Sequence, residues 1–323
     1  MRAPQICGFV LITAAAMVGC GGGGEGDGGD DDGTNTDANN GGVDANIPAD
    51  YTRLIGRTWT LPPAATDTYR CVRFTVPNDT YITNIIAQAP TGTHHTVLSL
   101  ASSNVAGPDG EYNCSVGTLG RVMLYASGVG TSPLDFPAGV GIRIAAGTQI
   151  HLNLHLYNAS DNPIEGDTAI LVKQSATAPS MLAEMAFSGR FLGWSIPNNG
   201  QEVTTSGGCT ADSDFTLFAV WPHQHQLGTK HKFEIVPQAG SAVTLHDAAY
   251  NFTEQKYYLQ TPMYQVHQGD QIRTTCTWVN NGPVASVGFG ESSDEEMCFT
   301  GMYRFPASGT NLFRCTDTQG VGF

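Results

Sequence analysis

Past residue 50 the apolar side chains of this chain recur with a period of two, in short runs that turn residues interrupt. "RCVRFTVP" sets Val72, Phe74 and Val76 on one face, "HKFEIVP" does the same with Phe233 and Ile235, and "TQIHLNLHLYN" alternates Ile150, Leu152, Leu154 and Leu156 with His151, Asn153, His155 and Tyr157. Alternation of this kind describes strands with one face buried, because successive side chains of a strand point to opposite sides. "VPNDT", "GPDGEYN", "IPNNGQ" and "VNNGP" supply turns at spacings that suit sandwiches or barrels, and helical periodicity of any length is absent. The fold class expected is all-β. About 270 residues follow Tyr51, enough for one large β domain or two ordinary ones. The pattern breaks at "VKQSATAPSM", residues 172–181, which marks a linker between two halves.

The N-terminus reads differently. One basic residue, Arg2, precedes an apolar stretch from Ile6 to Val18, too short for a stable span, so residues 1–20 are expected to be an export signal. Val18-Gly19-Cys20 resembles a bacterial lipobox, which implies lipidation of Cys20. Residues 21–50 hold ten glycines and eight acidic residues with no base; such a segment cannot bury enough apolar surface to order itself and is expected to be a disordered acidic Gly-rich tether. The expected location is the cell envelope, the outer membrane in particular, with the folded part in the periplasm or at the cell surface and the membrane reached only through the lipid. Much of the net charge of −14 lies in this tether: residues 51–323 carry 14 bases against 21 acids, with no basic cluster, which argues against a nucleic-acid partner. Export also sets the redox compartment. Cys71, Cys114, Cys209, Cys276, Cys298 and Cys315 are an even number without a C-x-x-C pair, so three disulfides are expected and a cysteine-ligated zinc site is not.

Four places concentrate ligand-type side chains. "AVWPHQHQLGTKH" sets His223 and His225 at strand spacing, where both rings reach one side; alone, the pair suits either a metal ion or two surface histidines. "TGTHHTVLSL" carries His94 and His95, which a straight strand would send to opposite faces, but Pro90 and Gly92 allow the backbone to bend. "TQIHLNLHLYN" offers His155, and "ESSDEEMCFTGMY" places Met297 beside Cys298. A thioether is a soft donor that favours Cu(I) and seldom binds zinc. His151 shares a strand face with His155 and has no further claim. His231, His246 and His267 sit among polar residues and are expected at turns or strand ends.

In chain order, His-His, L-x-L-H, H-x-H-x-L-G and E-M-C resemble the copper type II, ascorbate-dependent monooxygenases, the family of the peptide-amidating and dopamine-hydroxylating enzymes, over nearly all of residues 51–323. The resemblance implies two jelly-roll-like β-sandwich domains in tandem, 51–176 and 177–323, facing each other across an open cleft. It implies two coppers per chain: an electron-donating one held by His94, His95 and His155, and an oxygen-activating one held by His223, His225 and Met297, the catalytic group. It implies pairing of Cys71 with Cys114, Cys209 with Cys315, and Cys276 with Cys298. The implied reaction hydroxylates a C–H bond of a small organic substrate with O2 and ascorbate or another one-electron reductant, in a monomer. Two positions depart from the peptide-amidating pattern. An arginine two residues before H-x-H is here Trp221, and a tyrosine shortly after E-M-C is here Gly301, so a glycine-extended peptide is not the expected substrate, and Trp221 offers either an apolar wall for an uncharged or aromatic one or a packed core side chain.

Two other classes compete. A copper-binding surface lipoprotein without oxygenase activity would use the same ligands and differ only in turnover. A tethered adhesion or carbohydrate-binding sandwich would hold no metal, which metal analysis decides.

Overall fold

The computed structural model describes residues 47–65, 67–101, 106–115, 122–128, 130–309 and 315–317, all within one compact unit, Val43–Phe323. The export signal, Cys20 and most of the tether lie outside the described residues. Those residues form strands, turns and loops and no helix, so the chain is all-β, as the period-two pattern predicts.

Each half builds two larger sheets. In the N-terminal half one sheet runs Thr52–Leu61, Ile164–Ser175, Thr80–Gln88, Val140–Ile144, Met181–Leu182, with Leu134–Asp135 also on Thr80–Gln88. The other runs Gly110–Asn113, Thr68–Thr75, Gln149–Leu156, Thr93–Leu100, Val122–Gly128. In the C-terminal half a five-stranded sheet runs Tyr258–Val266, Phe215–His223, Phe299–Phe305, Glu184–Arg190, Cys315–Asp317, and a four-stranded sheet runs Glu202–Thr210, Gln271–Val279, Gly228–Val236, Val243–Ala249. The ladders are antiparallel apart from two short parallel pairings and one isolated bridge. Among the strand ladders only Met181–Leu182, parallel to Val140 and Gly141, crosses residue 176. The break expected at 172–181 is a loop only between Ser175 and Met181.

The apolar core does not respect that boundary. One cluster begins with Ile55, Leu61, Ile85 and Leu154 and continues through Met123 and Tyr125 to Trp221, Tyr257, Phe299 and Tyr303 of the C-terminal half. A second, with Phe215, Leu217, Phe233, Ile235 and Met302, fills the C-terminal sandwich. A third gathers Trp278, Ile196 and the Cys276–Cys298 pair. Polar clamps cross the same seam: the Tyr257 hydroxyl accepts from the Ala126 N–H and donates to the Ala126 carbonyl, and the Tyr303 hydroxyl donates to the Leu124 carbonyl. The seam is thus packed in part, and beside it an open space of about 430 Å³ is lined by Asp67, His94, His155 and Tyr157 from one half and by Gln226, Phe252, Ser293 and Asp294 from the other, where the resemblance implies a cleft.

Disulfides join Cys71 to Cys114, Cys209 to Cys315 and Cys276 to Cys298. The placement of two histidines differs from expectation. His231 lies inside Gly228–Val236, fully buried, and His246 inside Val243–Ala249, also buried. The reason is in the register: the inward face that carries Phe233 and Ile235 reaches back two residues to His231, in a strand paired on both sides. His267 is exposed, as expected.

Candidate metal centre

The first cluster depends on a fault in a ladder. Thr93–Leu100 pairs with Gln149–Leu156, and the register shifts between Thr93 and His95, with Gly92 just before at φ 100°. A bulge of this kind re-aims a side chain, so the adjacent His94 and His95 both turn toward His155, the ladder partner of His95. The Nδ1 atoms of His94 and His95 lie 3.2 Å apart, and those of His155 and His95 3.4 Å. Two nitrogens roughly 2.0–2.1 Å from one ion at a tetrahedral angle would be about 3.4 Å apart, so the three-imidazole set fits a metal ion. Burial, and then the neighbouring imidazoles, depress the His94 pKa to about 4 and that of His95 well below its ordinary value. His155 is lowered too, by burial, against an opposing pull from Asp67. The rings are thus neutral at pH 7, the form that ligates.

Around His155 the support is specific. Tyr69 stacks on its ring at 4.6 Å with an interplanar angle of 5°, and the Asp67 carboxylate lies 2.9 Å from its Nε2. A carboxylate on the outer nitrogen holds the proton there and leaves Nδ1 to bind. Burial, followed by the charges of Asp67, Asp294 and Glu291, pushes the Tyr69 hydroxyl up to about 12.

The second cluster sits at the end of Phe215–His223. His223 is the last residue of that strand, and His225 lies just beyond it, the two rings 5.2 Å apart and nearly perpendicular. Gln224 between them turns the other way, into the sandwich, where its Nε2 donates to the Lys230 carbonyl at 2.9 Å. Tyr250 grips its backbone: the hydroxyl accepts from the Gln224 N–H at 3.0 Å and donates to its carbonyl at 2.6 Å. His223 Nδ1 is 3.0 Å from Gln255 Oε1 and His225 Nδ1 is 3.0 Å from the Glu295 carbonyl. Both partners are acceptors, so each Nδ1 carries the proton and each Nε2 is left as a donor to metal. Met297, buried, lines the same hollow as both rings. Two imidazoles and a thioether fit copper better than zinc.

Glu296 ties the two motifs together. Its buried carboxylate accepts from the backbone N–H of His225 at 2.9 Å, Leu227 at 2.6 Å and Met297 at 3.3 Å, and from the Trp278 indole at 2.8 Å. Burial pushes its pKa up to about 7, and the four donors pull the other way.

All six expected ligands therefore fall into the two expected groups, three converging imidazoles in one and His223, His225 and Met297 around one hollow in the other. Asp67, Tyr250, Phe252 and Gln255 carried no sequence signal. Glu296 did: it stands in E-M-C, but the motif does not say what its carboxylate holds. Phe252 lies between the clusters, its ring centroid 5.1 Å from that of His94 and 6.1 Å from that of His225. His151 is apart from both, buried with the Tyr112 hydroxyl 2.7 Å from its Nε2.

Residues 185–320 match the family model described as the C-terminal domain of copper type II ascorbate-dependent monooxygenases. Over 283 residues, 84% of it, the chain is 25% identical to peptidyl-glycine alpha-amidating monooxygenase A of Xenopus laevis, and it spans 30% of that protein. Among solved structures, the major capsid protein P2 of bacteriophage PM2 aligns over 78% of this chain and 97% of its own at 9% identity and TM-score 0.27. A putative secreted protein from Eubacterium rectale aligns over 80% and 71% at 11% identity and TM-score 0.21. At these scores neither bears on fold or function.

Proposed function

We propose that the chain, which matches the C-terminal domain model of the copper type II ascorbate-dependent monooxygenases over residues 185–320, is a member of that family and hydroxylates a C–H bond of a small organic substrate, using O2 and an external one-electron reductant. The observation that carries this is the pair of unlike donor sets facing one seam: three Nδ1 atoms of His94, His95 and His155 on one side, and two free Nε2 atoms with the Met297 thioether on the other. Copper bound in both would supply one-electron transfer and reaction with O2, chemistry that no protein side chain offers.

The chain's own contribution is orientation and an apolar wall. Gln255 and the Glu295 carbonyl hold the Nδ1 protons of His223 and His225, so that both rings present Nε2. Glu296 fixes the H-x-H turn against the strand that carries Met297. Phe187, Trp221 and Phe299 give the hollow beside His223, His225 and Met297 an apolar wall. The thioether favours Cu(I) in that group, whereas an all-imidazole group supports both oxidation states.

The test is copper stoichiometry of the purified protein, followed by O2 uptake with ascorbate, alone and with candidate substrates. Two coppers per chain and substrate-dependent O2 uptake are expected. Two coppers with no O2 uptake under any candidate would leave a copper-binding protein, and no copper would end the reading.

A further inference from the structure

Two residues that line the hollow beside Met297 each carry a buried polar atom with no partner. Trp221, 3% exposed, has an indole N–H without a partner, and Asn153, 1% exposed, has an amide oxygen without one. The other end of the Asn153 amide is committed: Nδ2 donates to the Ser115 carbonyl at 3.2 Å, so the oxygen cannot be exchanged for it by a flip. Both line the cavity in which His223, His225 and Met297 stand.

The remaining walls are mostly apolar, with Val97, Met123, Ala126, Phe187 and Phe299; of the polar side chains among them, Thr96 and Ser127 hydrogen-bond to each other and Gln255 to His223, and no lysine or arginine lines the hollow. Glu291 is the one carboxylate that lines it. Trp221 is held in place from two sides. It stacks on His223 at 4.7 Å with an interplanar angle of 16°, and its partner across the ladder is Gly301, where an added Cβ would come within 3.3 Å of the indole. The two positions that depart from the peptide-amidating pattern are thus one cross-strand pair, a large indole over a glycine, in place of an arginine and a tyrosine.

We infer that the substrate is an uncharged, largely apolar molecule with one hydrogen-bonding oxygen, a carbonyl or a hydroxyl, that accepts from the Trp221 N–H. This rests on the monooxygenase reading for the word substrate, but not for the binding. In the copper-free protein no lysine or arginine lines the hollow to receive a carboxylate, and apart from Glu291 its oxygens are neutral, so a neutral ligand suits it better than an ion.

Binding to copper-free protein, followed by calorimetry or by NMR of the Trp221 indole N–H, tests this without turnover. The probes are acetophenone against its isostere α-methylstyrene, with the smaller pair cyclopentanone and methylenecyclopentane in case the phenyl ring is too large. At least a tenfold preference for the carbonyl member of one pair is expected, with a shift of the Trp221 indole resonance. In Trp221→Phe, which keeps the stack and loses the N–H, the preference should vanish while the hydrocarbon binds as before; a thermal melt checks that this variant is folded. Preference for benzoate or benzylammonium over acetophenone, no discrimination within either pair, or an unchanged preference in folded Trp221→Phe would overturn the inference. If ketones bind as expected and copper-loaded protein consumes no O2 with them, the monooxygenase reading fails and the pocket assignment stands.

Discussion

Single side chains decide which ion binds and in which oxidation state. Under the proposed function Met297 would be the soft donor of its group, and isoleucine has nearly its volume, so Met297→Ile should cost under about 1.5 kcal/mol of stability. The three-imidazole copper should remain, sulfur scattering from the other copper should disappear from the X-ray absorption spectrum, and hydroxylation should fall by orders of magnitude. Unchanged sulfur scattering in the variant would remove Met297 from the site. Asp67 acts one bond further out, on the Nε2 of His155. Asn in its place keeps the shape and loses the charge, and such outer partners are worth 10–100-fold in metal affinity. The Asp67 side chain is 58% exposed, and solvent screening puts the expected loss of Cu(II) affinity near the lower end, about tenfold. A Cu(II) titration of Asp67→Asn that matches the wild type would show that the carboxylate plays no part in holding the ion.

At the scale of elements, irregularities do the positioning. The H-H pair works because its strand carries a bulge, and the H-x-H pair because a strand ends between its two members. The Cys276–Cys298 bond adds a covalent tie next to Met297, joining Gln271–Val279 to the segment that bears E-M-C, and it closes a loop with a sequence separation of 22. Closing a loop of that size stabilises by about 3 kcal/mol. The double variant Cys276→Ala, Cys298→Ala should therefore lower the unfolding free energy from denaturant titration by about 3 kcal/mol, and should weaken copper binding at the His223 group more than at the His94 group. Equal weakening at both would mean that the bond supports the whole fold and not the site.

The whole molecule responds to pH through its buried imidazoles. His94, His95, His155, His223, His225, His231 and His246 all have folded-state pKa values below the ordinary one, with burial the leading cause. His94 lies at about 4 and His223 at about 3. A depressed histidine leaves the unfolded chain holding more protons, so its contribution is complete above roughly pH 6.5 and is lost as the pH falls from there toward the folded value. Glu296, raised to about 7, runs the other way between its ordinary value and pH 7, one group against seven. Copper-free protein should thus melt at progressively lower temperature from pH 6.5 to pH 4.5, and bound copper should flatten that slope by holding the five imidazole ligands deprotonated. A melting temperature independent of pH in the copper-free protein would contradict the burial of these rings.

The strand class, the even cysteine count and the six ligand-type residues were legible in the sequence, because period-two burial and donor softness are local properties; the break expected at 172–181 is a loop only between Ser175 and Met181, because Val172–Ser175 still pair in a ladder. The family resemblance added the disulfide partners and the grouping of ligands. What tertiary structure alone decided concerns residues brought together from distant strands: Asp67 on His155, Glu296 under the H-x-H turn, Phe252 between the clusters, and the apolar core that runs from one half into the other. Trp221 shows the division most clearly. Its position in the chain marked a missing arginine, and its partner Gly301 a missing tyrosine, but only the ladder that sets them opposite one another turned two departures into one wall of a cavity, since cross-strand pairing depends on register and register is not written in either strand alone.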